Sequence, residues 1–148
     1  MLNDTVNDAV GAKILVVEDS AAMRARIVWE LAELTGIQEI LQAEDLASAL
    51  VLLNAHHPAV AILDLHLRTE LAFPILQTIQ QQGLPTVSVI YSNATGNPLR
   101  DACLRLGAHS FLPKGGGFGD VAQTVSAILS SLSSARPEPH AAPESFNP

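Results

Sequence analysis

Residues 59–66 read Ala-Val-Ala-Ile-Leu-Asp-Leu-His, five apolar residues followed by an aspartate at position 64. A run that short, unbroken and aliphatic suits a strand covered on both faces. Two runs of the same kind lie on either side of it, Lys13–Val17 (KILVV) and Thr86–Ile90 (TVSVI). Two weaker ones, Glu39–Gln42 and His109–Leu112, suit the edges of a sheet. Pro113 supports an edge for the last of them, because proline lacks the N–H that an inner strand must donate.

Between these runs the apolar residues recur at helical spacing. Met23, Ile27, Leu31 and Leu34 make one stripe, with Ser20 placed as an N-cap and Gly36 as a stop. Leu46, Ala49, Leu50 and Leu53 make a second, closed by Pro58. Residues 73–82 and 97–106 read as a third and a fourth helix, stopped by Gly83 and Gly107. Val121, Val125, Ile128 and Leu129 form the inward face of a last helix, from about Asp120 to Leu132. Strand and helix alternate five times. That predicts a doubly wound α/β fold, with a five-stranded parallel sheet, helices on both faces and right-handed crossovers.

The body of this fold is residues 12–132. Residues 1–11 read as a flexible arm, and residues 133–148, with four prolines among Ser, Ala and Glu, as a disordered tail. Hydrophobic residues are 48% of the 148, ample for one core, and charged residues only 16%. Apolar runs of at most about seven residues exclude a membrane-spanning helix, and no secretory signal is expected. Eight basic against fifteen acidic residues leave a net charge of −7, and no basic patch offsets it, so nucleic acid is not an expected partner. One cysteine, Cys103, excludes an internal disulfide and a multi-cysteine zinc site. It reads as filler on an apolar helix face in a cytoplasmic protein.

Ligands of such folds bind beyond the carboxyl ends of the strands. The first strand ends in Glu18 and Asp19, the third in Asp64, the fourth in Tyr91-Ser92-Asn93 and the fifth in Pro113-Lys114. Taken singly, an Asp after a strand is ordinarily a turn or cap residue, and Glu-Asp-Ser a common helix start. Together they place three carboxylates, a hydroxyl and an ammonium on one edge. Three neighbouring carboxylates repel one another unless a cation joins them, and all-oxygen ligation favours Mg2+. Lys114 and Ser92 are then suited to meet phosphoryl oxygens, with Glu18 and Asp19 as metal ligands and Asp64 as the phosphoryl acceptor.

The segments KILVVEDSAAMR, AVAILDLHL, VSVIYSNA and GAHSFLPK make the chain resemble the receiver domain of two-component response regulators, of the chemotaxis-regulator type. The resemblance covers residues 12–132 and implies a flavodoxin-like sheet of order 2-1-3-4-5. It implies that Asp64 takes a phosphoryl group from the phosphohistidine of a sensor histidine kinase or histidine phosphotransfer protein. Glu18, Asp19, Asp64 and the backbone carbonyl of His66 would hold Mg2+, and Ser92 and Lys114 would contact the phosphoryl group. Phe111 falls where the family carries its switch aromatic. On phosphorylation Ser92 is drawn in, Phe111 turns inward, and a surface for a downstream protein changes shape. The chain would act as a stand-alone signalling phosphoacceptor rather than an enzyme. A phosphorylation-independent interaction module is one alternative. A phosphohydrolase of the haloacid-dehalogenase type is another, although that family usually has an acid where this chain has His66.

The sequence departs from the family in two segments. Gly115 follows Lys114 where the family usually has a proline in a cis peptide. A trans bond and a looser, less well aimed Lys114 are therefore expected. Leu67–Glu70 lacks the common proline, and Ala72 stands where glycine is frequent. The Gly115–Gly119 run (GGGFG) fits no phosphate-binding motif and reads as a connector. His56-His57 reads as a solvated pair before a proline turn. His66 has two readings, a side chain leaning over the phosphoryl group or an exposed loop residue. Trp29 faces away from Met23 and Ile27, as a contact residue or lying flat on a neighbour.

Overall fold

The computed structural model describes residues 11–93, 96–117 and 119–135. The expected N-terminal arm and tail lie outside these residues, apart from Gly11 and 133–135. Five strands form one sheet: β1 (Ala12–Val17), β2 (Ile37–Ala43), β3 (Val60–Leu63), β6 (Val87–Ser92) and β7 (Ser110–Pro113). They lie in the order β2-β1-β3-β6-β7 and all pair in parallel. Counted among themselves the strands run 2-1-3-4-5, with the two weak strands at the edges. A short hairpin that the sequence reading did not anticipate, β4 (His66–Leu67) and β5 (Glu70–Leu71), follows β3.

Side chains alternate across the sheet, so each strand feeds two cores. Leu15, Val17, Ala61, Leu63 and Ile90 pack on one face with α2 (Leu46–His56), α3 (Phe73–Gln82) and α4 (Asn97–Arg105). Ile14, Val16, Val60, Ile62, Val89 and Tyr91 pack on the other with α1 (Ala21–Leu31) and α5 (Asp120–Ala135). Cys103 is buried on α4 in the first of these cores.

Helix ends follow from local chemistry. Ser20 and Asp45 cap α1 and α2, accepting from the N–H of Met23 and Ser48. Gly83 closes α3 in the left-handed conformation. Helix α1 ends at Leu31, earlier than its apolar stripe suggests, and Leu34 packs from the turn beyond. The chain must leave the helix there because the Gly36 carbonyl accepts the Ala12 N–H at 2.7 Å. At Gly11 a Cβ would stand 2.6 Å from that same carbonyl oxygen, so only glycine fits. Helix α5 continues to Ala135, three residues beyond the expected end. Of the two histidines before Pro58, His57 is exposed as expected and His56 is not. His56 is half-buried, its Nδ1 3.2 Å from Lys13 Nζ, and His57 is the left-handed cap of α2. No described helix is long and apolar enough to cross a membrane.

Candidate phosphoryl-transfer site

The parallel register carries the site residues to one edge. Val17 pairs with Leu63, and the ladder continues one residue further, where the Asp64 N–H donates to the Val17 carbonyl at 2.9 Å. That step sets Glu18 and Asp64 side by side. On the other flank Ser92 pairs with Pro113, and the Lys114 N–H donates to the Ser92 carbonyl at 3.0 Å. Strands β1, β3, β6 and β7 thus deliver Glu18, Asp64, Ser92 and Lys114 at successive positions along the rim.

The carboxylates of Glu18, Asp19 and Asp64 each place an oxygen within 4.8 Å of the others. Glu18 is 1% exposed and Asp64 7%, whereas Asp19 is half-buried. The Lys114 ammonium donates to Glu18 Oε1 at 2.8 Å and to Asp64 Oδ2 at 3.0 Å. It is aimed at both, contrary to the expectation drawn from Gly115. The peptide bonds of the described residues are all trans, that before Gly115 included. The turn after Lys114 is closed by the Gly116 N–H on the Pro113 carbonyl at 3.1 Å. This holds the lysine backbone without a proline.

Backbone donors hold the acids. Ser20 N–H reaches Glu18 Oε2 at 3.0 Å, His66 N–H reaches Asp64 Oδ1 at 3.3 Å, and Arg68 N–H reaches Asp19 Oδ2 at 3.0 Å. Burial raises the Glu18 carboxyl above the usual range, and the Lys114 and Ser20 contacts only partly offset it. Burial acts in the same sense on Asp19. Hydrogen bonds with Glu18 and from the Arg68 N–H outweigh it and hold that carboxyl low. Burial works against the charge of Lys114, but its bonds to Glu18 and Asp64 raise it above the ordinary lysine value, so it remains an ammonium.

Sequence reasoning did not find Arg24, whose Nη1 donates to the Glu18 carbonyl at 2.8 Å and whose Nε donates to Gln42 Oε1 at 3.3 Å. It also missed the donor role of the Arg68 amide, which only the hairpin creates. Ser92 is buried at the end of β6. Phe111 lies one strand over, partly buried against the core of the α2–α4 face. His66 is exposed in β4. The donor set is hard oxygen throughout, with carboxylates from two strand ends converging. Such a set fits a small divalent cation that retains waters, Mg2+ being the natural one.

Comparison with known proteins agrees with this geometry. A family model, the response regulator receiver domain, matches residues 14–126. No curated protein matches the sequence. Among solved structures, the signal receiver domain of the putative response regulator NarL from Mycobacterium tuberculosis is 24% identical. It covers 86% of this chain and 99% of its own, with a TM-score of 0.74. The response regulator domain of Thermotoga maritima CheB is 23% identical over 84% of this chain and 96% of its own, with a TM-score of 0.66. The phosphorylated cyanobacterial phytochrome response regulator RcpA is 25% identical over 86% of this chain and 98% of its own, with a TM-score of 0.71. Receiver domains are signalling phosphoacceptors that interact with histidine kinases or phosphotransfer proteins and bind Mg2+ at an acidic pocket. With the sheet order, the acidic rim and the sequence match in agreement over most of its length, this chain belongs to the response regulator receiver domain family.

Proposed function

We propose that this protein accepts a phosphoryl group on Asp64 from a phosphohistidine donor and signals or relays through a protein-binding surface that responds to it. The observation that carries this is the convergence of Glu18, Asp19 and Asp64 around one point, with the Lys114 ammonium 3.0 Å from Asp64 Oδ2. A carboxylate so placed is a nucleophile beside a fixed positive charge. One Asp64 oxygen attacks phosphorus, the P–N bond of the donor breaks, and its electron pair returns to the imidazole, which takes a proton from solvent. The product is an acyl phosphate. Glu18, Asp19, Asp64 and the His66 carbonyl are the groups to hold Mg2+, which when bound offsets negative charge on the transferred group. Lys114 releases Asp64 and takes up a phosphoryl oxygen, and the Ser92 hydroxyl donates to another.

Ser92 and Phe111 form the switch. Ser92 has the strand parity of Ile90, so it lies on the same sheet face as Phe111. Movement of Ser92 toward the phosphoryl group opens room that the Phe111 ring fills from its partly buried position. Phenylalanine has no hydroxyl, so this is a change of packing alone. One of the solved neighbours is itself a phosphorylated response regulator.

The test is incubation with acetyl phosphate and Mg2+, followed by intact-mass measurement and peptide mapping. The expected result is a gain of one phosphoryl group, on Asp64, lost in Asp64→Ala and without Mg2+. No gain in wild type overturns the proposal and leaves the phosphorylation-independent interaction module, whereas equal gain in Asp64→Ala overturns Asp64 as the acceptor.

A further inference from the structure

Arg68 stands at the turn of the β4–β5 hairpin with φ +60. Among the described non-glycine residues only His57 also has a positive φ, and His57 ends a helix. Arg68 ends none. It is the first of the two loop residues between the paired Leu67 and Glu70, where tight hairpin turns place a positive φ, and that turn aims its N–H away from the hairpin ladder. Two contacts are available. The Arg68 guanidinium lies 3.5 Å from Glu44, but both side chains are more than half exposed, so this ion pair contributes little. The other is the backbone. Arg68 N–H donates to Asp19 Oδ2 at 3.0 Å across 49 residues of sequence. A proline at position 68 would have no N–H to give and could not adopt φ +60.

We propose that the Arg68 backbone amide is a positioning group for divalent-cation binding. It anchors one oxygen of Asp19 and so presents that half-buried carboxylate to Glu18 and Asp64 in one orientation. Glu18 and Asp64 are already fixed by burial and by Lys114. Asp19 is the acid with most freedom to lose, and partners of this kind commonly change metal affinity severalfold or more. The inference rests on the reading of the cluster as a Mg2+ site.

The experiment is calorimetric titration of the full chain with Mg2+, with thermal unfolding measured in parallel. Arg68→Gly keeps the N–H and suits the backbone, and Arg68→Ala keeps the N–H without the Glu44 pair. Both are expected within about twofold of wild type. Arg68→Pro is expected to bind about 10-fold more weakly. In an Asp19→Ala background Arg68→Pro should cause no further weakening, since the effect runs through Asp19. The residue-68 amide resonance should move upfield in Asp19→Ala without any metal, a reading that does not require the proline variant to fold. Wild-type affinity in Arg68→Pro, undiminished weakening in the Asp19→Ala background, or an unmoved amide resonance overturns the proposal. If wild type binds no Mg2+, the reading of the cluster fails first and the inference with it.

Discussion

Lys114 and Glu18, 96 residues apart in sequence, are joined at 2.8 Å with both side chains almost wholly buried. The same ammonium also holds Asp64 at 3.0 Å. One cation therefore stabilises two acids brought out of water. Removing it leaves an uncompensated buried charge, at a typical cost of about 3 kcal/mol. Lys114→Met should be destabilised by about that amount in urea without divalent cation. Added Mg2+ should recover part of the loss, as for any ligand that binds only the folded state. The double variant Glu18→Gln/Lys114→Met should lose less than the sum of the single changes. Additive losses would show that the two side chains do not communicate.

Glu30, on α1, is buried and accepts the Ala122 N–H of α5 at 2.9 Å. A side chain from one helix thus satisfies an open donor at the start of another. Glu30→Ala should cost about 1–2 kcal/mol. Glu30→Gln, which keeps an oxygen acceptor, should cost less. Amide exchange at Ala122 should quicken in the alanine variant more than at mid-helix Val125, and equal quickening at both would count against a local cap.

Gly115 and Gly116 adjoin but are not equivalent. A Cβ on Gly115 meets nothing within 4 Å, whereas one on Gly116 would lie 2.6 Å from Asp120 Oδ2 and 3.3 Å from the Pro113 carbonyl oxygen. Gly116→Ala must displace the Asp120 carboxylate and strain the turn that presents Lys114. It should slow acetyl-phosphate labelling severalfold, with Gly115→Ala close to wild type. Gly116→Ala/Asp120→Ala should recover part of the rate. Indistinguishable single variants would remove the turn from the account of how Lys114 is aimed.

Asp45 caps α2, accepting the Ser48 hydroxyl at 2.6 Å and the Ser48 N–H at 2.8 Å. These bonds, the hydroxyl first, hold its carboxyl below the ordinary value. A folded-state pKa lower than the unfolded one adds stability above the unfolded value of about 3.9, and that stability is lost as pH falls through the lower folded value. Asp45→Ala should therefore unfold at lower urea than wild type at pH 7, with the gap narrowing toward pH 3. A gap independent of pH would mean that the carboxylate's charge plays no part in the cap.

Most of the framework was legible because the two central strands, β1 and β3, run apolar through the core up to the rim. In AVAIL followed by Asp64, the first polar residue marks where the strand leaves the core. The same rule located Glu18, whereas Ser92 and Lys114 were found as the polar residues that follow the fourth and fifth strand runs. The unread part is made of contacts that composition does not encode. The Arg68 amide, the Arg24 bond to the Glu18 carbonyl and the Glu30 cap all depend on where the backbone of one element meets another. Helix α1 also read too long, since the Gly36–Ala12 bond that shortens it joins residues with no shared periodicity. Lys114 was expected to be loosely aimed because the reading weighed the missing proline and not the turn that replaces it.

The sheet also acts as a wall between two rooms. Phe111 shares its room with Leu99 and Cys103 of α4, whereas Val125 and Ile128 of α5 occupy the room behind. A ring that pivots at Phe111 pushes on α4 directly and reaches α5 only through the strands. Methyl groups of Leu99 should register such a pivot strongly and those of Ile128 faintly, which would make α4 the chief outlet for that movement.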